Sequence, residues 1–198
     1  MLQDWRCIDC TKAIGALFGN GKVCAFTKKH YCDDCHVDDM AVIPPRLLYN
    51  WDAKPYPVAR TSLRFLTAVS GQPIINLGTF NPHLVDFAPV IDLAARKRQK
   101  LVYLIAYISA CARAGDTEQK IGELLRGRAH LYADSHWYAI GDLEELHRGE
   151  LMEALQRAVR CALGHVDGCL VCAGRGFICE LCQVGTLNSE IDKVLNYT

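Results

Sequence analysis

Apolar positions in the middle of the chain recur with a helical period. Leu101, Leu104 and Ile108 follow one another at three- and four-residue intervals in a segment that opens with Pro89, a residue suited to the first turn of a helix. A second amphipathic pattern runs through residues 150–166. Both stripes are wide enough to form the buried face of a helix. The pattern therefore predicts a mainly α protein with a helical core.

Shorter periodic segments add to this core. Residues 58–69 carry apolar side chains on one side and end before Gly71 and Pro73. Asn81 and Pro82 have the composition of a helix start and predict a short helix through Phe87.

Residues 41–57 interrupt the helical pattern. Pro44 and Pro45 precede an aromatic-rich piece that contains Trp51 and carries two further prolines. Proline removes a backbone donor and restricts the residue before it. We therefore expect a non-helical strap that lies against an apolar surface, with Trp51 as its anchor.

Cysteines supply the strongest chemical signal. Eight of the eleven form CxxC pairs, two near each end of the chain. A CxxC turn directs two thiolates at one ion, and two such turns complete a tetrahedral four-thiolate site. The sequence predicts two closed structural zinc sites, one at each end. Their ligands are Cys7, Cys10, Cys32 and Cys35, and Cys169, Cys172, Cys179 and Cys182.

Two other uses of these cysteines fit less well. Disulfides need an oxidising compartment, whereas the opening MLQDWRCIDC lacks the basic and apolar regions of a signal peptide, so we expect a cytoplasmic protein. A redox CxxC follows a strand in a thioredoxin-like unit, and four of them would be excessive.

Several further residues are candidate ligands. Cys24 and His36 lie inside the first cysteine region, and either a second ion or ordinary packing accounts for them. His165 precedes Cys169 closely enough to replace a thiolate, although a histidine at a helix end also caps carbonyls. Cys111, like Cys161, lies on an apolar helix face and is predicted to be buried, unpaired and slow to react.

These features divide the chain into four parts. Residues 1–43 form an N-terminal zinc module, and residues 44–166 form the helical core. Residues 167–183 form a C-terminal pair of zinc knuckles, and residues 184–198 form a divergent tail.

Charge and motif content narrow the function. The 22 basic and 22 acidic residues cancel, which disfavours a nucleic-acid-binding zinc protein. The wide separation of the two cysteine regions does not suit the cross-braced ligands of a zinc-dependent ubiquitin ligase. Residues 130–149 are rich in histidine and aromatic side chains, but no nucleophile or hydrolase motif accompanies them. The sequence therefore predicts a binding module rather than an enzyme.

We place the partner contact in this aromatic stretch, because it holds more aromatic side chains than a short helical hairpin needs for its own core. The basic run at residues 96–100 is either solvated helix surface or the rim of this contact. The candidate partner-binding residues are His130, Leu131, Tyr132, Trp137 and Tyr138.

Ordered motifs along residues 5–183 resemble the Rubicon homology domain, which closes Rubicon, Pacer, the DEF-eight protein and the pleckstrin-homology-domain-containing family M proteins. The family M and DEF-eight branch is the more similar one. The motifs are Cys7-x2-Cys10, Val23-Cys24, Tyr31-Cys32-x2-Cys35-His36, Ile43-Pro44-x-Arg46, Asn50-Trp51-Asp52, His130-Leu131-Tyr132, Cys169-x2-Cys172 and Gly176-Phe177-Ile178-Cys179-Glu180-x-Cys182.

This resemblance implies a zinc-stabilised helical module that binds the late-endosomal Rab GTPase, Rab seven, in its GTP form. It implies recruitment from the cytoplasm to late endosomes, lysosomes and autophagosomes, in endosome, lysosome and autophagosome traffic. Gln183 is followed by VGTLNSEIDKVLNYT rather than by the further Cys/His-rich block of the family. The resemblance therefore predicts a form truncated after the last CxxC, or a divergent member.

Overall fold

The chain forms two compact units in the computed structural model, which describes residues 4–15 and 21–174. The first unit comprises Met1–Phe87 together with Ala139–Glu144, and the second comprises Ala88–Tyr138 together with Glu145–Thr198.

Two small antiparallel sheets open the first unit. Strand β1 (Lys22–Val23) pairs with β2 (His30–Tyr31), with Lys22 opposite Tyr31. Strand β3 (Asp39–Val42) pairs with β4 (Pro55–Val58), with Asp39 opposite Val58. Sheets this small are marginal without further support. Both sheets contribute to one core, which also includes residues outside the strands. It is formed by Cys7, Ile14, Cys24, Tyr31, Cys32, Ile43, Val58, Ala59 and Leu66.

A helix lies where the sequence predicted a non-helical strap. Helix α1 (Pro44–Asn50) carries its two prolines in the first turn, where the missing N–H groups would have no partner within the helix. It ends at Trp51, which is half-buried and adopts a left-handed conformation with φ 52°. The prediction was wrong for residues 44–50, because a pair of prolines is compatible with a helix start. It was right for residues 55–57, which are extended as part of β4.

The rest of the first unit is formed by short elements. Helix α2 (Arg60–Val69) confirms the predicted helix at residues 58–69. Strand β5 (Ile75–Asn76) leads into α3 (Leu77–Phe80), whose first turn is capped by the Asn76 side chain. Helix α4 (Leu84–Phe87) follows Asn81, and the Asn81 Nδ2 group donates to the Leu48 carbonyl at 3.0 Å.

Long helices dominate the second unit. Both α5 (Pro89–Ile108) and α6 (Gly115–Leu124) pack against α9 (Glu150–Gly168). Leu101, Leu104 and Ile108 are completely buried, as their spacing predicted. The remaining elements are α7 (His130–Ala133), β6 (Trp137–Tyr138), α8 (Ile140–His147) and α10 (Leu170–Gly174). The predicted mainly α fold with a helical core is confirmed.

Within the described ranges, no helix combines the length and the apolar character that crossing a membrane requires.

Candidate metal centres

The first candidate centre is built by two tight turns in the first unit. Arg6 and Ala13 form an antiparallel bridge, and between them the Cys7 N–H donates to the Lys12 carbonyl at 2.8 Å. The second turn follows β2, where the Cys35 N–H donates to the Cys32 carbonyl at 3.1 Å. Each turn thereby presents two thiols on the same side.

The four thiols of these turns meet at one point. The sulfur atoms of Cys7, Cys10, Cys32 and Cys35 all lie within 4.8 Å of one another, and those of Cys10 and Cys32 are 3.5 Å apart. The structure thus brings together the four residues that the sequence grouped in its N-terminal site.

The environment of this cluster favours thiolates at some sulfurs and opposes them at others. Burial raises the pKa of the Cys7 thiol, but N–H groups of Cys10, Cys32 and Asp9 outweigh it and lower that pKa to about 7. Burial, followed by hydrogen bonds with the neighbouring thiols, raises the pKa of Cys35 far above its usual range. Four adjacent thiolates repel one another, and a bound divalent cation would remove that repulsion.

The two additional candidates in this region stand outside the cluster. Cys24 is fully buried, and its S–H donates to the Ser62 hydroxyl at 3.4 Å. His36 is also buried, and its Nδ1 accepts the Asp38 backbone N–H at 3.3 Å. Neither belongs to a potential ligand group of three or more among the described residues. The contact of Cys24 favours the packing interpretation, whereas His36 has one ring nitrogen, Nε2, that is buried without a hydrogen-bond partner.

The second candidate centre lies in the second unit and has a different composition. The corner between α5 and α6 contributes Cys111, and the last turns of α9 contribute His165. Cys169 caps the end of α9, where its N–H donates to the His165 carbonyl at 2.9 Å, and Cys172 follows in α10. The ligand atoms of these four residues also lie within 4.8 Å of one another.

This grouping differs from the set predicted from the sequence, which the described residues test only in part. Cys179 and Cys182, expected to complete the site with Cys169 and Cys172, lie outside the described residues. Cys111 was interpreted as a packing residue only, but its sulfur lies 3.8 Å from that of Cys169. It is indeed buried, but it follows the end of α5 instead of lying on a helix face, and the apolar spacing that continues to it from α5 concealed its place in this group.

Both centres fit a tetrahedral zinc ion. Zn–S distances of about 2.3 Å and Zn–N distances of about 2.0–2.1 Å place two thiolates about 3.8 Å apart, and a thiolate and an imidazole nitrogen about 3.5 Å apart. The observed separations are 3.8 Å for Cys111 and Cys169 and 3.4 Å for Cys172 Sγ and His165 Nε2. No disulfide joins any cysteine within residues 4–15 and 21–174.

The second centre also contains a thiol that resists ionisation. Burial, and then the adjacent thiols of Cys111 and Cys169, raise the pKa of Cys172 to about 11. Backbone N–H groups, first that of Cys172, lower the pKa of Cys169. Metal binding at this centre must therefore displace a proton from Cys172, which makes its affinity dependent on pH.

The five residues proposed to bind a partner are not equally accessible. Leu131 and Tyr138 are buried at 0% and 2% exposure, so they serve the core of the second unit rather than a surface. Trp137 is 42% exposed, whereas His130 and Tyr132 are half-buried. The alternation of β6 explains the difference, since Trp137 and Tyr138 point to opposite sides of the strand.

Arg98 was interpreted from the sequence as part of a solvated basic run or a contact rim, and this was wrong for Arg98. Its side chain is completely buried. The guanidinium lies 4.1 Å from the centre of the Tyr138 ring and donates to four backbone carbonyls. Its position on the buried side of α5, three residues before Leu101, was the available signal. The acceptors are the carbonyls of His130, Leu131, Asp134 and Trp137.

Comparison with known proteins gives one consistent result. The family model described as the Rubicon Homology Domain matches residues 22–192. Pleckstrin homology domain-containing family M member 3 from Homo sapiens is 34% identical over 185 residues, covering 93% of this chain and 24% of the relative. The protein of the same name from Xenopus laevis is 34% identical over 187 residues, with the same coverage. The chain thus spans about a quarter of the length of these relatives.

Proposed function

The chain belongs to the Rubicon homology domain family, and on that premise we propose that it is a zinc-stabilised, non-catalytic module that binds the GTP form of the late-endosomal Rab, Rab seven. It acts in endosome, lysosome and autophagosome traffic. The Rab recruits it from the cytoplasm to those membranes, so its membrane association is indirect. The observation that carries the proposal is the family match, which extends through both units.

The zinc part of the proposal rests on the two ligand clusters. Each supplies four potential ligands and leaves no position for a substrate, which is the pattern of a structural rather than a catalytic site. A metal at each centre would hold turns and helix ends that have little other support. A surface held rigid in this way loses less entropy when a partner binds.

The Rab part needs a surface that distinguishes the two nucleotide states. A GTPase orders its switch segments only while the γ-phosphate is present, so an effector reads the shape of those segments. Trp137 offers an exposed aromatic side chain for such a contact, and the half-buried His130 and Tyr132 precede it in the chain. Its backbone carbonyl accepts a hydrogen bond from Arg98 at 2.7 Å, which holds the exposed ring on a fixed strand.

The test is a binding titration of the zinc-loaded chain against late-endosomal Rab carrying a GTP analogue or GDP. We expect binding to the GTP form and weak or no binding to the GDP form. Equal affinity for both forms, or none for either in fully zinc-loaded protein, would overturn the proposal.

Substitution of the exposed tryptophan tests the location of the contact. Trp137→Ala should weaken binding by about 1–3 kcal/mol while the helical content stays unchanged. The matched control is Tyr103→Ala, since Tyr103 is an aromatic residue of α5 that is 51% exposed. Equal losses in the two variants would remove Trp137 from the contact.

A further inference from the structure

One polar contact at the second centre is not explained by the ligands themselves. His165 directs Nε2 toward the thiols, 3.4 Å from Cys172 Sγ. Its other ring nitrogen, Nδ1, lies 3.2 Å from the hydroxyl of Thr117. A neutral imidazole carries a single N–H, so the ring can offer a lone pair to a metal on one side only. The group opposite the metal therefore decides which nitrogen is the ligand.

We propose that Thr117 is a positioning residue of the second centre: its hydroxyl oxygen accepts the Nδ1–H of His165 and so fixes the tautomer that presents Nε2 to the metal. Histidines that bind metals commonly donate their second N–H in this way, and the acceptor orients the ring and raises its basicity. The proposal rests on the zinc part of the proposed function.

The fold gives Thr117 a defined place. It is the third residue of α6, and only five residues separate it from Cys111. The corner between α5 and α6 thus supplies both a ligand and the acceptor for a second ligand. His165 belongs to α9, against which α6 packs. The hydrogen bond that Thr117 accepts from His165 therefore holds the histidine in register with Cys111.

A second hydrogen bond joins α5 to α10, the helix that contains Cys172. The Tyr107 hydroxyl of α5 donates to the Cys172 carbonyl at 2.6 Å. That bond restrains the backbone of the turn but touches no ligand atom. The orientation of the imidazole is thus left to Thr117, and a change at this residue should affect the metal through His165.

The experiment uses cadmium-113 as the probe metal, bound to the full chain and observed by NMR. The first centre, with four thiolates, and the second, with three thiolates and one imidazole, should give separate resonances, so that the affinity of each can be measured in competition with a chelator. We expect Thr117→Val to lower the affinity of the second centre by about 10- to 100-fold and to leave the first centre unchanged. Thr117→Ser, which keeps the hydroxyl, should restore most of the affinity.

The matched control is Thr61→Val. Thr61 also lies in the first turn of a helix, and its hydroxyl donates to Asp9, two residues from Cys7, at 2.9 Å. It touches no ligand atom, so its loss should change neither centre. Unaltered affinity of the second centre in Thr117→Val, or equal losses in the two valine variants, would overturn the assignment.

Nitrogen-15 spectra of the histidine rings give a readout that does not depend on a variant. In the metal-loaded chain, His165 should be protonated at Nδ1 and metal-bound at Nε2. Metal on Nδ1 would overturn the role of Thr117 alone. A free imidazole with no cadmium resonance from the second centre would overturn both this role and the second zinc centre.

Discussion

Arg98 shows how one buried side chain can organise a whole segment. Its guanidinium bonds to carbonyls spread from His130 to Trp137, and this stretch contains only one turn of helix and a two-residue strand. A segment with so few backbone bonds of its own needs other partners for its carbonyls. Arginine suits this role because its planar group carries five donors in a fixed geometry.

Replacing Arg98 should therefore destabilise the second unit. Arg98→Met leaves buried carbonyls without a donor, and we expect a loss of about 3 kcal/mol or more in the free energy of unfolding. Arg98→Lys should recover only part of this, because an ammonium has three donors and no planar face. Urea unfolding of the zinc-loaded chain measures both effects.

Arg96 provides the matched control on the same helix. It pairs with Asp92 at 3.0 Å, and both side chains are about half exposed. Arg96→Met should change stability by less than about 1 kcal/mol. Similar losses in the free energy of unfolding at the two positions would show that the hydrogen bonds of Arg98 do not stabilise residues 130–137.

At the same scale, local spacing predicted some site residues and concealed others. Cys7, Cys10, Cys32 and Cys35 are recognisable in the sequence because each CxxC pair is a complete local turn. Cys111 lies 54 positions before His165, and nothing in the apolar spacing that leads to it distinguishes a candidate ligand from a core residue. Contacts between distant segments depend on how helices pack, which the sequence pattern does not specify.

At the scale of elements, α1 and β4 are joined by a polar cluster of three side chains. The Tyr56 hydroxyl donates to Asp52 at 2.7 Å, and Arg46 donates to the Tyr56 hydroxyl oxygen at 3.1 Å. The Arg46 guanidinium also lies 4.2 Å from the centre of the Tyr56 ring. This cluster accounts for two of the motifs noted in the sequence, Ile43-Pro44-x-Arg46 and Asn50-Trp51-Asp52, as structural contacts.

The cluster makes a prediction about titration. The hydrogen bond to Asp52 raises the pKa of Tyr56, since loss of the phenol proton would place two negative charges side by side. Asp52→Asn removes that charge, so the pKa of Tyr56 should fall toward its ordinary value. NMR of carbon-13-labelled tyrosine between about pH 8 and 12 follows the titration.

A surface carboxylate gives the control for this experiment. Asp34 forms an exposed pair with Lys12 at 3.1 Å, 12 positions before the first residue of the cluster, Arg46. Asp34→Asn should leave the Tyr56 titration where it is in the unmodified chain. A Tyr56 pKa that does not move in Asp52→Asn would mean that α1 and β4 are not joined in this way in solution.

The elements themselves were predictable to different degrees. Long helices such as α5 and α9 follow from their apolar stripes, because burial of one face largely determines them. Helix α1 did not, because the two prolines favour an irregular segment and a helix start equally well. Tertiary packing and the capping geometry at Trp51 decide between these outcomes.

At the scale of the whole molecule, the two centres predict the consequence of metal removal. Elemental analysis should find two zinc ions per chain, and Cys111→Ser should reduce this to one while Cys161→Ser leaves it at two. Structural zinc contributes about 10 kcal/mol or more in small modules, so a strong chelator should unfold the regions around both centres. Circular dichroism during chelation measures the loss. Fewer than one zinc per chain, or a fold that survives complete removal, would contradict the prediction.

The order of the ligands along the chain sets a sequence of events during synthesis. The first centre has all its ligands once Cys35 has been added, whereas the second must wait for Cys172, 137 residues later. At translation rates of about 5–20 residues per second, this interval is roughly 7–27 s. Cys111 is added before the last 61 of those residues, so for slightly less than half of that interval its thiol lacks Cys172 and is exposed to oxidation and to competing metals. If each centre binds zinc as proposed, supply of the second ion is therefore the later and more vulnerable step in making this protein.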